Sequence, residues 1–174
     1  MLNELKEWGK SIAVAIILAL IIRGFFMESF IVDGRSMEPT FINQERVLVN
    51  KFIYNFRDPD FGDIVVFPYP VDEERVLIKR VIGTANDKIE IKNGALFINK
   101  EPVTEEYILQ GYSGQNYGPV NVPEGMIFVL GDNRSNSVDS RNNEVGFIST
   151  DDVRGKTFLR YWPLSQLNYF AVKQ

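Results

Sequence analysis

A serine set between Gly34-Arg35 and Met37-Glu38-Pro39-Thr40, and a lysine inside the apolar run Val76-Leu77-Ile78-Lys79-Arg80-Val81-Ile82, are the side chains whose neighbours best suit chemistry. Gly34 permits close approach and Pro39 fixes the chain just after the serine. Such a turn can hold the Ser36 hydroxyl in one place and aim a backbone N–H at a developing oxyanion. In the second run, strand alternation puts Lys79 on the face of Leu77 and Val81, with Arg80 opposite among Ile78 and Ile82. A lysine with apolar neighbours loses hydration, and its charged form suffers most. Lowering a lysine pKa from about 10.4 to about 8 costs roughly 3 kcal/mol, and the neutral amine can then take a proton from a serine. Each residue also has an ordinary role open to it. Ser36 would be a loop serine satisfying local backbone groups, and Lys79 an edge-strand charge that guards against aggregation.

A third segment, Gly131-Asp132-Asn133-Arg134-Ser135-Asn136-Ser137-Val138-Asp139-Ser140-Arg141, is dense in hydrogen-bonding groups and follows the apolar run Met126–Leu130. It reads as a solvated loop. As part of a site, it would supply a hydroxyl to orient the lysine and an Asp–Arg pair to hold the loop.

The chain contains no histidine and no cysteine. A Ser-His-Asp triad needs an imidazole, a thiol protease needs Cys, and the usual zinc sites need one or the other. No metal or cofactor is called for. For peptide hydrolysis, a lysine-activated hydroxyl is the leading route left, with a carboxylate pair as the other. The net charge of -4, without a dense Lys/Arg stripe, argues against a nucleic-acid partner. At 174 residues and 45% apolar composition, the chain suffices for one core, or one core plus a small lobe.

The elements that must position these residues follow a membrane-like segment. Ser11–Ile22 is uniformly apolar, and the stretch from Trp8 to Met27 would rise about 30 Å as a helix, enough to span a hydrocarbon core. Trp8 and Phe25-Phe26 fall where interfacial aromatics are expected, and Arg23 can snorkel to the headgroups. Lys6 and Lys10, before the apolar run Ser11–Ile22, favour a cytoplasmic N-terminus. No small-x-small cleavage site follows the apolar core, so the reading is an uncleaved anchor over 8–27, with 1–7 cytoplasmic and 28–174 extracytoplasmic.

Beyond the anchor the pattern turns to period two. Strands are expected at Glu45–Asn50, Asp63–Phe67 (stopped by Pro68 and Pro70), Arg75–Ile82, Met126–Leu130 and Thr157–Trp162. Lys88–Lys92 and Ala95–Ile98, joined by Asn93-Gly94, predict a hairpin with a type I′ turn. Gln110–Val122 reads as a long loop. The fold class is therefore mainly β behind one transmembrane helix, with a hairpin lobe inserted at about 84–125. Phe41, Phe52, Phe56 and Phe61 are expected in the core, with lipid docking as the alternative.

Four blocks carry a family resemblance. Ser36-Met37-Glu38-Pro39-Thr40, Gly62-Asp63-Ile64-Val65-Val66-Phe67, Lys79-Arg80-Val81-Ile82-Gly83 and Gly131–Arg141 stand in that order behind the anchor. The chain resembles a bacterial type I signal peptidase of the small, single-anchor kind typical of Gram-positive bacteria, from the anchor to near Trp162. That resemblance implies Ser36 as nucleophile and Lys79 as general base, with Ser137 hydrogen-bonded to the lysine. It implies an Asp139–Arg141 ion pair, with Asp132 and Arg134 in the same supporting loop, and the Ser36 N–H in the oxyanion hole. Some members add a serine hydroxyl two positions before the nucleophile; Gly34 stands there, so a second donor must come from elsewhere or be missing. The implied substrates are signal-peptide-bearing preproteins cut after a small-x-small site such as Ala-x-Ala, with Phe30, Val32 and Ile78 lining the pockets. Membrane lipid is the other implied partner.

Ser36 lies nine residues beyond Met27, so the serine lies at most about 30 Å from the membrane edge. A substrate held by its own apolar segment would meet it there at raised effective concentration. Two other readings fit parts of the chain: a self-cleaving repressor-type Ser/Lys protease, which would need a DNA-binding region, and a membrane-anchored β-module for binding.

Overall fold

The computed structural model describes residues 2–108, 114 and 116–170, without the side chains of residues 2–5, 19, 21–23 and 25. Helix α1 (Leu2–Phe26) precedes strand β1 (Met27–Ile31). Met27 thus opens a strand instead of closing the helix. Among the described residues no helix is long and apolar enough to cross a membrane. Ile12, Val14, Ile16, Ile17, Leu18 and Leu20 are each 53–62% exposed. The expected placements of Arg23 and Phe25 lie outside the described side chains.

The remaining described strands are β2 (Arg46–Asn50), β3 (Ile64–Tyr69), β4 (Asp72–Gly83), β5 (Lys88–Lys92), β6 (Ala95–Ile98), β7 (Glu101–Val103), β8 (Tyr117–Asn121), β9 (Met126–Leu130), β10 (Ile148–Ser149), β11 (Gly155–Trp162) and β12 (Asn168–Tyr169). The larger sheet runs β1-β2-β11-β3-β4-β9-β10, with β12 paired to β11. Its described pairs are antiparallel. A four-stranded sheet, β7-β6-β5-β8, rises from the connection between β4 and β9. Asn93 and Gly94 at the β5–β6 turn have φ 50° and 81°, as a type I′ turn requires.

Two expectations change. Pro68 does not stop β3: it pairs with Val76 in the sheet, and the register shifts between Pro68 and Tyr69, an irregularity that tolerates the missing N–H. The expected loop over 110–122 contains β8, whose Tyr117 and Val120 pack on the lobe core although its Gly and Pro content masks the strand pattern. Residues 109–113 and 115 of that loop lie outside the described residues.

Three apolar clusters hold these layers. Val65, Phe67, Val81 and Val129 lie within the larger sheet. Ile82, Ile89, Ile91, Phe128 and Leu130 join it to the smaller one. Val32, Met37, Phe41, Val47 and Ile64 form the third, beneath the serine turn. Phe41 is fully buried, whereas Phe52, Phe56 and Phe61 are 39%, 75% and 43% exposed, so the core reading holds for Phe41 alone. Phe52 contacts both Phe26 and Phe56 edge to face at the end of α1.

Candidate active site

The serine turn is pinned from below. Met37 and Phe41, both following Ser36, are buried in the third cluster, and the Phe41 N–H donates to the Met37 carbonyl at 2.9 Å. Arg160 donates to the Thr40 carbonyl at 3.0 Å and to Glu45 at 3.1 Å. Gly34 has φ 91°, a left-handed conformation that favours glycine, and its N–H is taken by Asn43 Oδ1 at 2.9 Å. The glycine is thus explained by backbone conformation, since a Cβ there would meet open space. Among the described residues the Ser36 N–H has no protein acceptor.

Strand β4 delivers the lysine. β3 covers one edge of β4 from Asp72 to Arg80, and β9 takes the other only from Arg80 onward. Lys79 therefore sits where β4 has one edge unpaired among the described residues, and its ammonium donates to Ser36 Oγ at 2.9 Å and to the Ile78 carbonyl at 3.0 Å. The side chain is buried, and burial lowers its pKa from 10.5 to about 8, against the opposing pull of the Asp139 and Asp132 carboxylates. A substantial neutral fraction at mildly alkaline pH suits a general base.

The polar loop after β9 wraps this pair. Asn133 donates its N–H to the Ser36 carbonyl at 3.0 Å and its side-chain amide to the Arg35 carbonyl at 3.1 Å. Asp139, fully buried, accepts from Arg141 Nε at 2.8 Å and from the Gly131 N–H at 3.0 Å. Asp132 takes both Arg80 Nε (2.8 Å) and Nη2 (2.7 Å), and Thr40 Oγ1 donates to it. Arg134 pairs with Glu105.

One expected contact is absent. The Ser137 hydroxyl is buried and has no hydrogen-bond partner among the described residues, so it does not hydrogen-bond Lys79. The ammonium turns instead to the carbonyl of its own neighbour, Ile78, while Ser137 lies against Gly131. Sequence reasoning also missed Arg80, Thr40 and Glu105. An arginine between Ile78 and Ile82 was the available signal, because a buried guanidinium requires a carboxylate.

Phe30, Val32 and Ile78 meet at one cavity of about 330 Å³, together with Met37, Ser36 and Lys79. Among the described residues no cluster of His, Cys, Asp or Glu could hold a metal ion.

The profile of the family described as "Signal peptidase, peptidase S26" matches residues 5–162. The chain is 38% identical over 176 residues to "Signal peptidase I P" of Bacillus subtilis subsp. natto, covering 95% of this chain and 92% of that protein. It is 37% identical over 175 residues to "Signal peptidase I S" of Bacillus subtilis strain 168, covering 95% and 93%. The crystal structure of a signal peptidase I from Enterococcus faecalis V583 is similar at a TM-score of 0.50 and 32% identity, covering 57% of this chain and 97% of that one.

Proposed function

Because this chain belongs to the signal peptidase family, peptidase S26, we propose that it is a type I signal peptidase that removes signal peptides from exported preproteins after a small-x-small site. The observation that carries this reading is the 2.9 Å contact between the Lys79 ammonium and Ser36 Oγ, with that lysine held at about 8 by burial.

In the proposed reaction, neutral Lys79 takes the Ser36 proton as Oγ attacks the carbonyl carbon of the scissile bond. The Ser36 N–H donates to the oxyanion. Collapse expels the amine of the mature protein, which receives the proton back from Lys79, and leaves the signal peptide as an ester on Ser36. Water, deprotonated by Lys79, attacks the ester, and the same proton returns to Ser36 Oγ. Asp139, Asp132 and Arg141 hold the loop beside the lysine. Ser137, whose buried hydroxyl has no hydrogen-bond partner among the described residues, would orient Lys79 as the resemblance implies. Phe30, Val32 and Ile78 would exclude long side chains at the small positions.

The chain would be anchored by the helical part of the expected 8–27 span, which ends at Phe26, with 1–7 cytoplasmic, the residues after the helix extracytoplasmic and the lobe at about 84–125 inserted in the catalytic domain. What supports an anchor is the 25-residue helix with an exposed apolar surface. Phe26, Phe52 and Phe56, clustered at its end, would rest on lipid.

The test is cleavage of a preprotein whose signal ends in Ala-x-Ala, in lipid, by wild type, Ser36→Ala and Lys79→Met. Correct cutting by wild type alone is expected. Cutting by all three overturns the dyad, and no cutting by any folded protein overturns the substrate class.

A further inference from the structure

The segment that leaves β7 packs Tyr107 on the cluster between the two sheets and from there reaches the loop after β9. Glu105 and Tyr107 meet two arginines there, Arg134 within that loop and Arg80 on β4. Arg134 donates Nη1 to Glu105 Oε2 at 2.9 Å and pairs through Nη2 with the other carboxylate oxygen. The pair is almost wholly buried, with side chains 1% and 3% exposed. Tyr107 donates its hydroxyl to the same carboxylate at 2.6 Å, and its ring lies under the Arg80 guanidinium at 3.9 Å. Burial, reinforced by Glu105, pushes the Tyr107 phenol up, so it stays protonated and able to donate.

Each arginine acts on the catalytic loop. Arg134 Nε donates to the Gly131 carbonyl at 3.1 Å, and Arg141 Nη2 donates to the Arg134 carbonyl at 2.9 Å. Arg80 grips Asp132, the next residue. Gly131 in turn lies against both the Ser137 hydroxyl and the Ser36 carbonyl. A bidentate arginine–carboxylate pair fixes orientation as well as distance. Four charged groups and a phenol thus connect the lobe to the loop beside the dyad.

Resting on the peptidase reading above, we propose that Glu105 and Tyr107 are positioning residues, a strap from the lobe that holds Arg134 and Arg80 and thereby sets the loop Gly131–Arg141 against Ser36 and Lys79. Neither touches the reacting atoms. Their removal loosens the loop, admits water around Lys79 and spoils alignment, and misplacement on the ångström scale is enough to lower turnover by roughly 100-fold.

The experiment uses the whole chain in lipid with Glu105→Gln, the rescue variant Glu105→Asp, and Tyr107→Phe, a mild change that keeps the ring over Arg80. Two readouts need no substrate: amide hydrogen exchange across 131–141, and the Lys79 titration midpoint by NMR, which senses Asp139, Asp132 and the burial of the amine. Faster exchange and an upward midpoint are expected in Glu105→Gln, a smaller change in Tyr107→Phe, and partial restoration in Glu105→Asp. On an Ala-x-Ala preprotein, kcat should fall at least about tenfold with KM little changed. Unaltered exchange and midpoint overturn the strap. So does faster exchange with kcat and midpoint as in wild type, which would make the pair merely structural. Should Glu105→Gln fail to fold, Tyr107→Phe decides by the same readouts. Wild type that cuts no preprotein would count against the peptidase reading, while exchange and midpoint still judge the strap.

Discussion

A Cβ at position 131 would stand 2.3 Å from the Ser137 hydroxyl oxygen and 2.5 Å from the Ser36 carbonyl oxygen. Gly131 is therefore the spacer through which the loop after β9 lies against the nucleophile's own peptide. The serine side chain could rotate away, but the Ser36 carbonyl is backbone in a pinned turn and cannot. Gly131→Ala is expected to lower kcat/KM by roughly 100-fold, through displacement of Ser36 from Lys79. Kinetics beside a folded-state spectrum check it. Wild-type turnover would show that the turn can shift freely.

Activity should rise with pH through an apparent pKa of about 8, where Lys79 loses its proton. Below that value the lysine is charged and cannot accept the serine proton, so log kcat/KM should climb by one per pH unit from neutral and level off in mild alkali. A pH profile of preprotein cleavage checks it. Full activity below pH 6 would exclude a lysine base.

The same burial makes the dyad a cost to the fold. The native pKa of Lys79 lies below its unfolded value of 10.5, so the unfolded chain binds the extra proton and stability rises with pH between about 8 and 10.5. The penalty is full below that window and gone above it. Moving a lysine from 10.5 to about 8 costs about 3 kcal/mol, so Lys79→Met should gain up to that much at pH 7 while losing all activity. Urea unfolding of both proteins at pH 7 and pH 10 should show the gain shrinking at the higher pH.

Asp132 has a side chain with no exposure and takes two hydrogen bonds from Arg80. Asp132→Ala leaves a buried, uncompensated guanidinium and should cost about 3–5 kcal/mol. That corresponds to a fall in Tm of roughly 10 °C. Adding Arg80→Met should recover part of the loss, because the penalty comes from the stranded charge. Thermal melts of the single and double variants decide it.

Ile78 borders the cavity beside Ser36. Ile78→Ala should extend cleavage to signals ending in Ala-x-Val, which the wild type should reject, as read by mass spectrometry of the released mature protein. Unchanged rejection would place the selective wall elsewhere.

Residues and local pattern were enough for much of this. The absence of His and Cys, the serine turn and the lysine among apolar neighbours left a lysine-activated hydroxyl as the leading route, with a carboxylate pair as the other. It was the resemblance carried by the four ordered blocks that chose the dyad. The Asn93-Gly94 turn and the run Met126–Leu130 were legible because turn conformation and strand alternation depend on neighbours a few residues away. β8 and the continuation of β3 through Pro68 were not, because cross-strand packing there overrides the local Gly and Pro signals.

Charge pairing other than Asp139–Arg141 was beyond the sequence. In Asp132, Arg134, Asp139 and Arg141, only the Asp139–Arg141 pair is local. Asp132 finds Arg80 across 52 residues, Arg134 finds Glu105 across 29, and Lys79 meets Ser36 across 43. A charged side chain takes whichever opposite charge the folded sheets bring within about 3 Å and shield from water, and that choice depends on strand order. The residue types and their local conformations were determined by the sequence alone. Which of them touch, and therefore how far Lys79 is desolvated, was decided by the tertiary structure.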